Sequence, residues 1–168
     1  MCRSDRMSIW AYEQAVLSKC SFQHGAIISK GGKIIIKGRN TNRTKYLNTM
    51  GICLHAEIDV AMKLINCYIK KQSKGKKIKG QKQIKYNLKK YIIWVVRANK
   101  NKIHSEAYNF YRYSAPCAEC IKTLIELGFK KIGFSDENGN ITVKNIENVK
   151  NTHISYAQQT FINRHIHY

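Results

Sequence analysis

Acidic residues are scarce in this 168-residue chain: ten Asp and Glu stand against thirty Lys and Arg, a formal charge of +20. That balance invites a polyanionic partner, nucleic acid or a phosphorylated substrate. Lys outnumbers Arg 23 to 7, and Ile (23) and Asn (14) are also abundant, as AT-rich codons would give, so compositional drift explains the charge equally well. Long apolar runs are missing. The longest, at 34–36 and 92–96, fall far short of a membrane-spanning helix. The first six residues carry charge and lead into no continuous apolar segment, so a cleaved secretory leader is not expected and the protein is expected inside the cell, in cytoplasm or nucleus. No period of roughly 20–50 residues recurs, which excludes a solenoid or propeller. Six cysteines are few for a disulfide scaffold, and an intracellular setting would keep them reduced. Cys2, Cys20, Cys53 and Cys67 have no ligand-like spacing and are expected as small buried hydrophobes, whereas Cys117 and Cys120 form a C-x-x-C suited to metal or catalysis.

What is present is an apolar content of 43%, enough for an ordinary core, and a length that suits a single domain over 1–168. Residues 9–20 fit a short amphipathic helix. Two β-rich runs at 26–28 and 33–36, separated by Lys30-Gly31-Gly32, predict a hairpin whose second strand stops at Gly38-Arg39-Asn40. Residues 41–54 read as a loop, and 55–67 as a buried helix. Residues 70–90 hold ten Lys and no acid, an insert too charged to pack and expected as a solvated loop or basic arm. The run 92–96 predicts a central strand covered on both faces. A Tyr-rich loop precedes a helix over 117–127 that ends at Gly128, and the Asn-Gly between 131–134 and 141–143 predicts an antiparallel hairpin. The order α-β-β-α-β-α-β-β describes an α/β domain with a five-stranded sheet and helices packed on it.

Two short segments carry chemistry: His55-Ala56-Glu57 and Pro116-Cys117-Ala118-Glu119-Cys120, each opening a predicted helix. Residues two apart on a helix point about 200° apart, so His55 and Glu57 meet a common atom only off the helix N-terminus. Cys117 and Cys120 share a face in a first turn, where exposed N–H groups stabilise thiolates. One imidazole and two thiolates give zinc three protein ligands and an open fourth position, the arrangement of catalytic rather than structural sites. Glu57 is then the candidate acid and base, carrying a proton from water to a ring nitrogen and to departing ammonia. A closed structural site with Cys53 or His104 as fourth ligand is the alternative.

H-x-E followed by P-C-x-x-C is the pattern of zinc deaminases, and on it the chain resembles the cytidine and deoxycytidylate deaminase superfamily. The resemblance implies a three-layer domain with a mixed five-stranded sheet whose last two strands form an antiparallel hairpin. It implies one zinc ion per chain, ligated by His55, Cys117 and Cys120, with Glu57 catalytic. The stretch from His24-Gly25-Ala26 through Gly38-Arg39-Asn40 is similar to the superfamily's first hairpin, which makes Asn40 a substrate-binding candidate beside its plainer role as a loop cap. Ala56 N–H and the Ser114-Ala115 segment are the matching backbone contacts to the base.

Between Glu57 and Pro116 lie 58 residues, more than in most of the superfamily, and the Lys-rich insert supplies much of the excess. The segments around Trp94–Asn99 and Ser114–Cys117 are similar to deaminase-like proteins of eukaryotes and large DNA viruses. The implied reaction is hydrolytic conversion of a cytosine-type base to uracil on a free nucleoside or nucleotide. The alternatives are deamination within single-stranded DNA or RNA, tRNA adenosine included, and a silent zinc-stabilised nucleic-acid-binding module. Tyr108, Phe110, Tyr111 and Tyr113, with Arg112 among them, form either a base-stacking platform or alternately packed tyrosines. His153, His165 and His167 are expected at the surface. No membrane partner is expected, and self-association stays open.

Overall fold

The computed structural model describes residues 2–43, 45–46, 49–50, 53–73, 88–99 and 111–151. Helix α1 (Arg3–Val16) leads into strands β1 (His24–Lys30) and β2 (Lys33–Arg39), then a two-stranded ribbon of β3 (Lys45–Tyr46) and β4 (Thr49–Met50). Helix α2 (Ala56–Ser73), β5 (Tyr91–Ala98), the short β6 (Tyr111–Arg112) and α3 (Ala118–Leu127) follow. Strands β7 (Lys131–Ser135) and β8 (Ile141–Asn145) end in a 3₁₀ turn over Ile146–Asn148.

The main sheet runs β2-β1-β5-β7-β8, with β6 added against β5. Among the described strands of this sheet, only the β5–β7 pair is parallel; β1–β2, β1–β5, β5–β6 and β7–β8 are antiparallel. The sheet is therefore mixed and its last two strands form the expected hairpin. Alternation along the strands splits the core into two layers. Ile27, Trp94 and Val96 face α1 through Met7, Ala11 and Ala15. Ala26, Ile28, Ile93, Val95, Ile132 and Phe134 meet α2 and α3 on the opposite face, completing three layers. Strand β5, buried along most of its length, has a helical layer on each side, as its apolar run predicted.

Turn chemistry agrees with the sequence. Gly31 and Gly32 both take positive φ (56° and 84°) between β1 and β2, which a two-residue hairpin turn needs. Gly128 closes α3 at φ 95°.

Several boundaries differ from expectation. Helix α1 begins six residues before Ile9 and ends at Val16, because its inner stripe is Met7, Ala11 and Ala15 and its start is tied by Cys2 N–H donating to Asp5 Oδ2 at 3.1 Å. Residues 41–54, expected as a loop, contain the β3–β4 pair and a bridge between Thr41 and Leu54. Helix α2 continues to Ser73, beyond the predicted Cys67. Of the Lys-rich insert, 70–73 thus belong to α2, 74–87 lie outside the described residues, and Leu88 is fully buried in the core. None of the four remaining cysteines is buried: Cys2 and Cys67 are exposed, Cys20 and Cys53 intermediate. Cys2 precedes the first helical turn and Cys67 lies outside the apolar stripe of α2, so neither can reach the core. Among the described residues no helix is long and apolar enough to cross a membrane.

Candidate active site

Helices α2 and α3 lie on the same face of the sheet, and their first turns meet. His55 stands immediately before α2, its carbonyl accepting from Asp59 N–H at 3.0 Å in the opening helical hydrogen bond. Cys117 occupies the equivalent place before α3, extended at φ −68° and ψ 165°, with its carbonyl accepting from Ile121 N–H at 3.0 Å. Cys117 is thus a cap residue rather than a first-turn residue, and Cys120 lies one turn on. His55 Nδ1 is 3.2 Å from Cys120 Sγ and 3.5 Å from Cys117 Sγ. All three donor atoms lie within 4.8 Å of one another.

The donor set fits zinc. A tetrahedral ion with Zn–N near 2.0 Å and Zn–S near 2.3 Å separates neighbouring N and S ligands by about 3.6 Å, close to both observed N···S separations. Proton affinities tell the same story. Hydrogen bonding from Cys120, then His55, holds the Cys117 thiol down at about 4 against the effect of burial. The bond to Cys117 and burial push the Cys120 thiol up. Burial pulls His55 down, but hydrogen bonds to Cys117 and Cys53 and the Glu57 charge outweigh it and raise the ring to about 11. A protonated imidazole therefore neighbours a thiolate and a thiol, and a divalent cation can replace those protons. Cys53 hydrogen-bonds to His55 but lies outside the cluster of three. His104, the other alternative ligand, falls outside the described residues.

Glu57, in the first turn of α2, is 5% exposed. Burial pushes its carboxyl up from the ordinary 4.5, with the His55 charge pulling the other way. It lies within electrostatic reach of His55, Cys117 and Cys120. Ala56, between His55 and Glu57, is fully buried at the same helix start.

Ser114 fixes the segment that leads into the metal motif. Its hydroxyl donates to Val95 O (2.9 Å), its Oγ accepts from Ser135 N–H (2.9 Å), and its own N–H donates to Ser135 O (3.0 Å). Asn40 stands where β2 ends. Its Oδ1 accepts from Ser18 Oγ (2.6 Å) and His24 N–H (2.9 Å), while Nδ2 donates to Phe22 O at 2.7 Å. Those bonds fill the carbonyl and use one of the two amide N–H groups.

Tyr108 and Phe110 lie outside the described residues, as do His153, His165 and His167. Tyr111 packs edge-on against Tyr12 with ring centroids 5.7 Å apart, and its hydroxyl meets Ser8 Oγ at 3.1 Å. Tyr113 is 43% exposed. Sequence reasoning missed His24 and Phe22. His24 is close enough to His55 and Cys117 to feel their charges, and burial pushes its ring down to about 4. The pairing of β1 with β5 sets His24 opposite Arg97, and its place at the head of the first-hairpin stretch is the signal that could have found it; Phe22, two residues earlier, carries none.

A His, Cys, Cys cluster at two helix N-termini, with a buried carboxyl beside it and a three-layer α/β sheet beneath, defines a zinc hydrolase site of the nucleobase-deaminase class. The chain belongs to the cytidine and deoxycytidylate deaminase family, whose zinc-binding region matches residues 5–136. Together that region and the cluster mean one zinc ion per chain. Among solved structures, the dCMP deaminase of cyanophage S-TIM5 in apo form is similar at 19% identity and TM-score 0.45, over 78% of this chain and 80% of that one. The same enzyme in complex with dCMP and dUMP gives 17% identity and TM-score 0.39, over 78% and 76%. No curated protein matches the chain at a significant level.

Proposed function

We propose that the protein is a zinc-dependent hydrolytic deaminase that converts a cytosine-type base to uracil on a free nucleoside or nucleotide, its 168 residues forming one deaminase-like domain that carries the Lys-rich insert. The observation that carries this is the placement of Glu57: a buried carboxyl within electrostatic reach of His55, Cys117 and Cys120, yet not itself one of the three. His55, Cys117 and Cys120 hold the metal. A zinc ion held there supplies the charge that makes water a nucleophile at neutral pH.

The reaction adds water to C4 of the base and releases ammonia. Glu57 takes one proton from water and passes it to the ring nitrogen, then moves the second, from the hydroxyl added at C4, to the amine as the C–N bond breaks and the C4 carbonyl forms. A carboxyl whose pKa burial raises accepts that proton more readily than a solvated one. Ala56 N–H and the pinned Ser114-Ala115 segment hold the base edge. Asn40 has a second amide N–H to offer a sugar hydroxyl, while its other bonds fix the wall formed by residues 18–24.

The test incubates zinc-loaded protein with separate pools of nucleosides, nucleotides and single-stranded oligonucleotides, following ammonia and base identity. Ammonia and uracil from the nucleoside or nucleotide pool support the proposal. Turnover confined to oligonucleotides moves the activity to polynucleotides, and turnover of adenine compounds alone changes the base.

A further inference from the structure

Strand register gathers lysines at one end of the main sheet. Lys30 closes β1 and pairs with Lys33, the first residue of β2, and with Tyr91, the first of β5. Lys90 stands immediately before Tyr91. Lys131 opens β7 beside Ile92 and opposite Asn145, the last residue of β8, and Lys144 precedes Asn145. Every strand on the path β2-β1-β5-β7-β8 thus carries an exposed lysine at or next to this end. With neighbouring strands about 4.8 Å apart, four steps spread the row over about 19 Å.

Helix α1 adds to the row. Its start lies beside the β1–β2 turn, where Arg6 Nη2 donates to Gly32 O at 3.3 Å and a Cβ at Gly32 would stand 3.8 Å from Arg3 Nε. Both arginines are exposed. Three described carboxylates share this end, and two are engaged: Asp5 accepts from Cys2 N–H, and Glu147 pairs with Lys130. Glu126, in the last turn of α3, is the third. Among the described residues, none of Lys30, Lys33, Lys90, Lys131 and Lys144 takes part in a salt bridge. Lys30 and Lys33 stand directly opposite each other on paired strands, a like-charge arrangement that costs stability unless an anion joins it.

The row has a hollow where β7 meets β8. Lys131, Val143, Lys144, Asn145 and Asn148 line a cavity of ≈ 500 Å³ there. Two ammonium groups and two side-chain amides supply its donors.

The metal cluster lies at the opposite end. Helix α2 opens beside the cluster and runs for 18 residues, about 27 Å at 1.5 Å per residue. Near its far end the Tyr68 hydroxyl meets the Tyr91 hydroxyl at 2.5 Å, which ties that end of α2 to the start of β5. Glu57, Asp59, Glu119 and Asp136 stand at the cluster end, where Arg97 and Arg112 also lie.

We infer that the lysine end is a docking surface for the backbone of duplex nucleic acid, separate from the metal cluster and facing away from it. A linear row of cations matches a linear polyanion, which carries a charge about every 3.4 Å along each strand, whereas a small anion needs only one pocket. The hollow at β7–β8 admits a projecting phosphate, and a flat sheet of lipid headgroups cannot enter it. Tyr91, the aromatic residue of the row, is 5% exposed beneath Lys30, whose Nζ lies 5.3 Å from its ring centroid. It offers no face for a base to stack on, so contact is with phosphates and carries no sequence readout. The surface does not depend on the deaminase reading: it holds the protein on nucleic acid while the cluster end stays open to solvent.

The experiment uses the full-length zinc-loaded protein in three forms: wild type, Lys131→Gln with Lys144→Gln, and Lys19→Gln with Lys122→Gln. The last pair removes the same charge from exposed positions outside the row. Fluorescence anisotropy follows two short DNA duplexes of unrelated sequence through a salt titration, and zinc content and Tm are recorded for each form. Co-sedimentation with phosphatidylserine vesicles runs alongside. Wild type should bind both duplexes alike, with a log–log salt slope of about −4 for four to five phosphates at −0.9 each. Lys131→Gln with Lys144→Gln should flatten the slope by about 2 and weaken binding at least about tenfold at low salt, with zinc and Tm unchanged. The Lys19, Lys122 pair should stay within about twofold of wild type in low salt, because screening confines the effect of a charge to its neighbourhood. An equal loss in both double variants, or no loss in either, overturns the row and leaves diffuse net charge as the cause. Absence of duplex binding at low salt overturns it as well, and vesicle binding without duplex binding replaces it with a membrane surface. Ammonia release enters none of these outcomes, so the docking surface and the deaminase reading stand or fall separately.

Discussion

Replacing Glu57 with Gln separates the proton shuttle from the fold. The side chains match in size, and the position is 5% exposed, so the amide fills the same space. Gln can accept or donate a hydrogen bond but cannot take up and release a proton. A positioned acid–base group supplies ~10²–10⁴-fold in rate, and here one side chain serves every transfer. The expected loss in kcat is about 10³-fold or more, which is about 4 kcal/mol at 1.36 kcal/mol per decade. Stability moves the other way. Burial raises Glu57 above its ordinary 4.5 in the fold, so the folded chain holds that proton more tightly than the unfolded one. In metal-free protein the contribution is full below the unfolded value and is lost as pH rises through the raised native value. Gln removes that loss, so metal-free E57Q should melt no lower than wild type at pH 7. Steady-state ammonia release, zinc content by plasma mass spectrometry and thermal melting read all three quantities. Turnover within tenfold of wild type, with zinc retained, would refute the assignment of Glu57.

A Cβ at Gly25 would stand 2.0 Å from Ala11 O and 2.2 Å from Ala15 N, both main-chain atoms of α1. Overpacking of this kind costs ~1–3 kcal/mol or more, so Gly25→Ala should lower Tm by about 5–10 °C at ~2–4 °C per kcal/mol, while zinc content stays at one per chain; an unchanged Tm would contradict the α1–β1 contact. Asn40→Ala leaves His24 N–H without its acceptor and Phe22 O without the Nδ2 donor, while Ser18 Oγ keeps the backbone carbonyl of residue 40. Each unpaired buried group costs ~1–3 kcal/mol, so both Tm and turnover should fall, and a loss of turnover alone would give Asn40 a purely substrate-binding role. Deleting residues 74–85 should leave zinc content and mononucleotide turnover unchanged. If the insert grips strands, oligonucleotide affinity in the intact chain falls with salt at roughly −0.7 per neutralised phosphate on log scales, and the deletion removes that slope; oligonucleotide binding that survives the deletion makes the insert a bystander.

The metal cluster was legible because its chemistry is local: His55 and Cys117 each cap a helix, and Cys120 follows one turn later, so sequence spacing alone puts each donor at a helix end. The hairpins were legible for a similar reason, since Gly31-Gly32 and Asn138-Gly139 demand particular backbone geometry. The start of α1 was not, because Arg3, Asp5 and Arg6 hide a stripe defined by only Met7, Ala11 and Ala15. The β3–β4 ribbon, two residues per strand, is too short for alternation to register. The register that sets Arg97 opposite both His24 and Arg112 was out of reach for another reason: it depends on β6 folding back against β5, and such long-range pairing leaves no mark in the local pattern.

X-ray absorption at the zinc edge of the purified, zinc-loaded protein tests the central claim most directly, because an open coordination position separates a catalytic ion from a structural one. The account predicts one zinc per chain with two sulfur ligands near 2.3 Å and two nitrogen or oxygen ligands near 2.0–2.1 Å, one of the latter exchangeable and displaced by added inhibitor anions. Three sulfurs, with Cys53 completing a closed shell, or a light-atom shell that no added ligand perturbs, would contradict it.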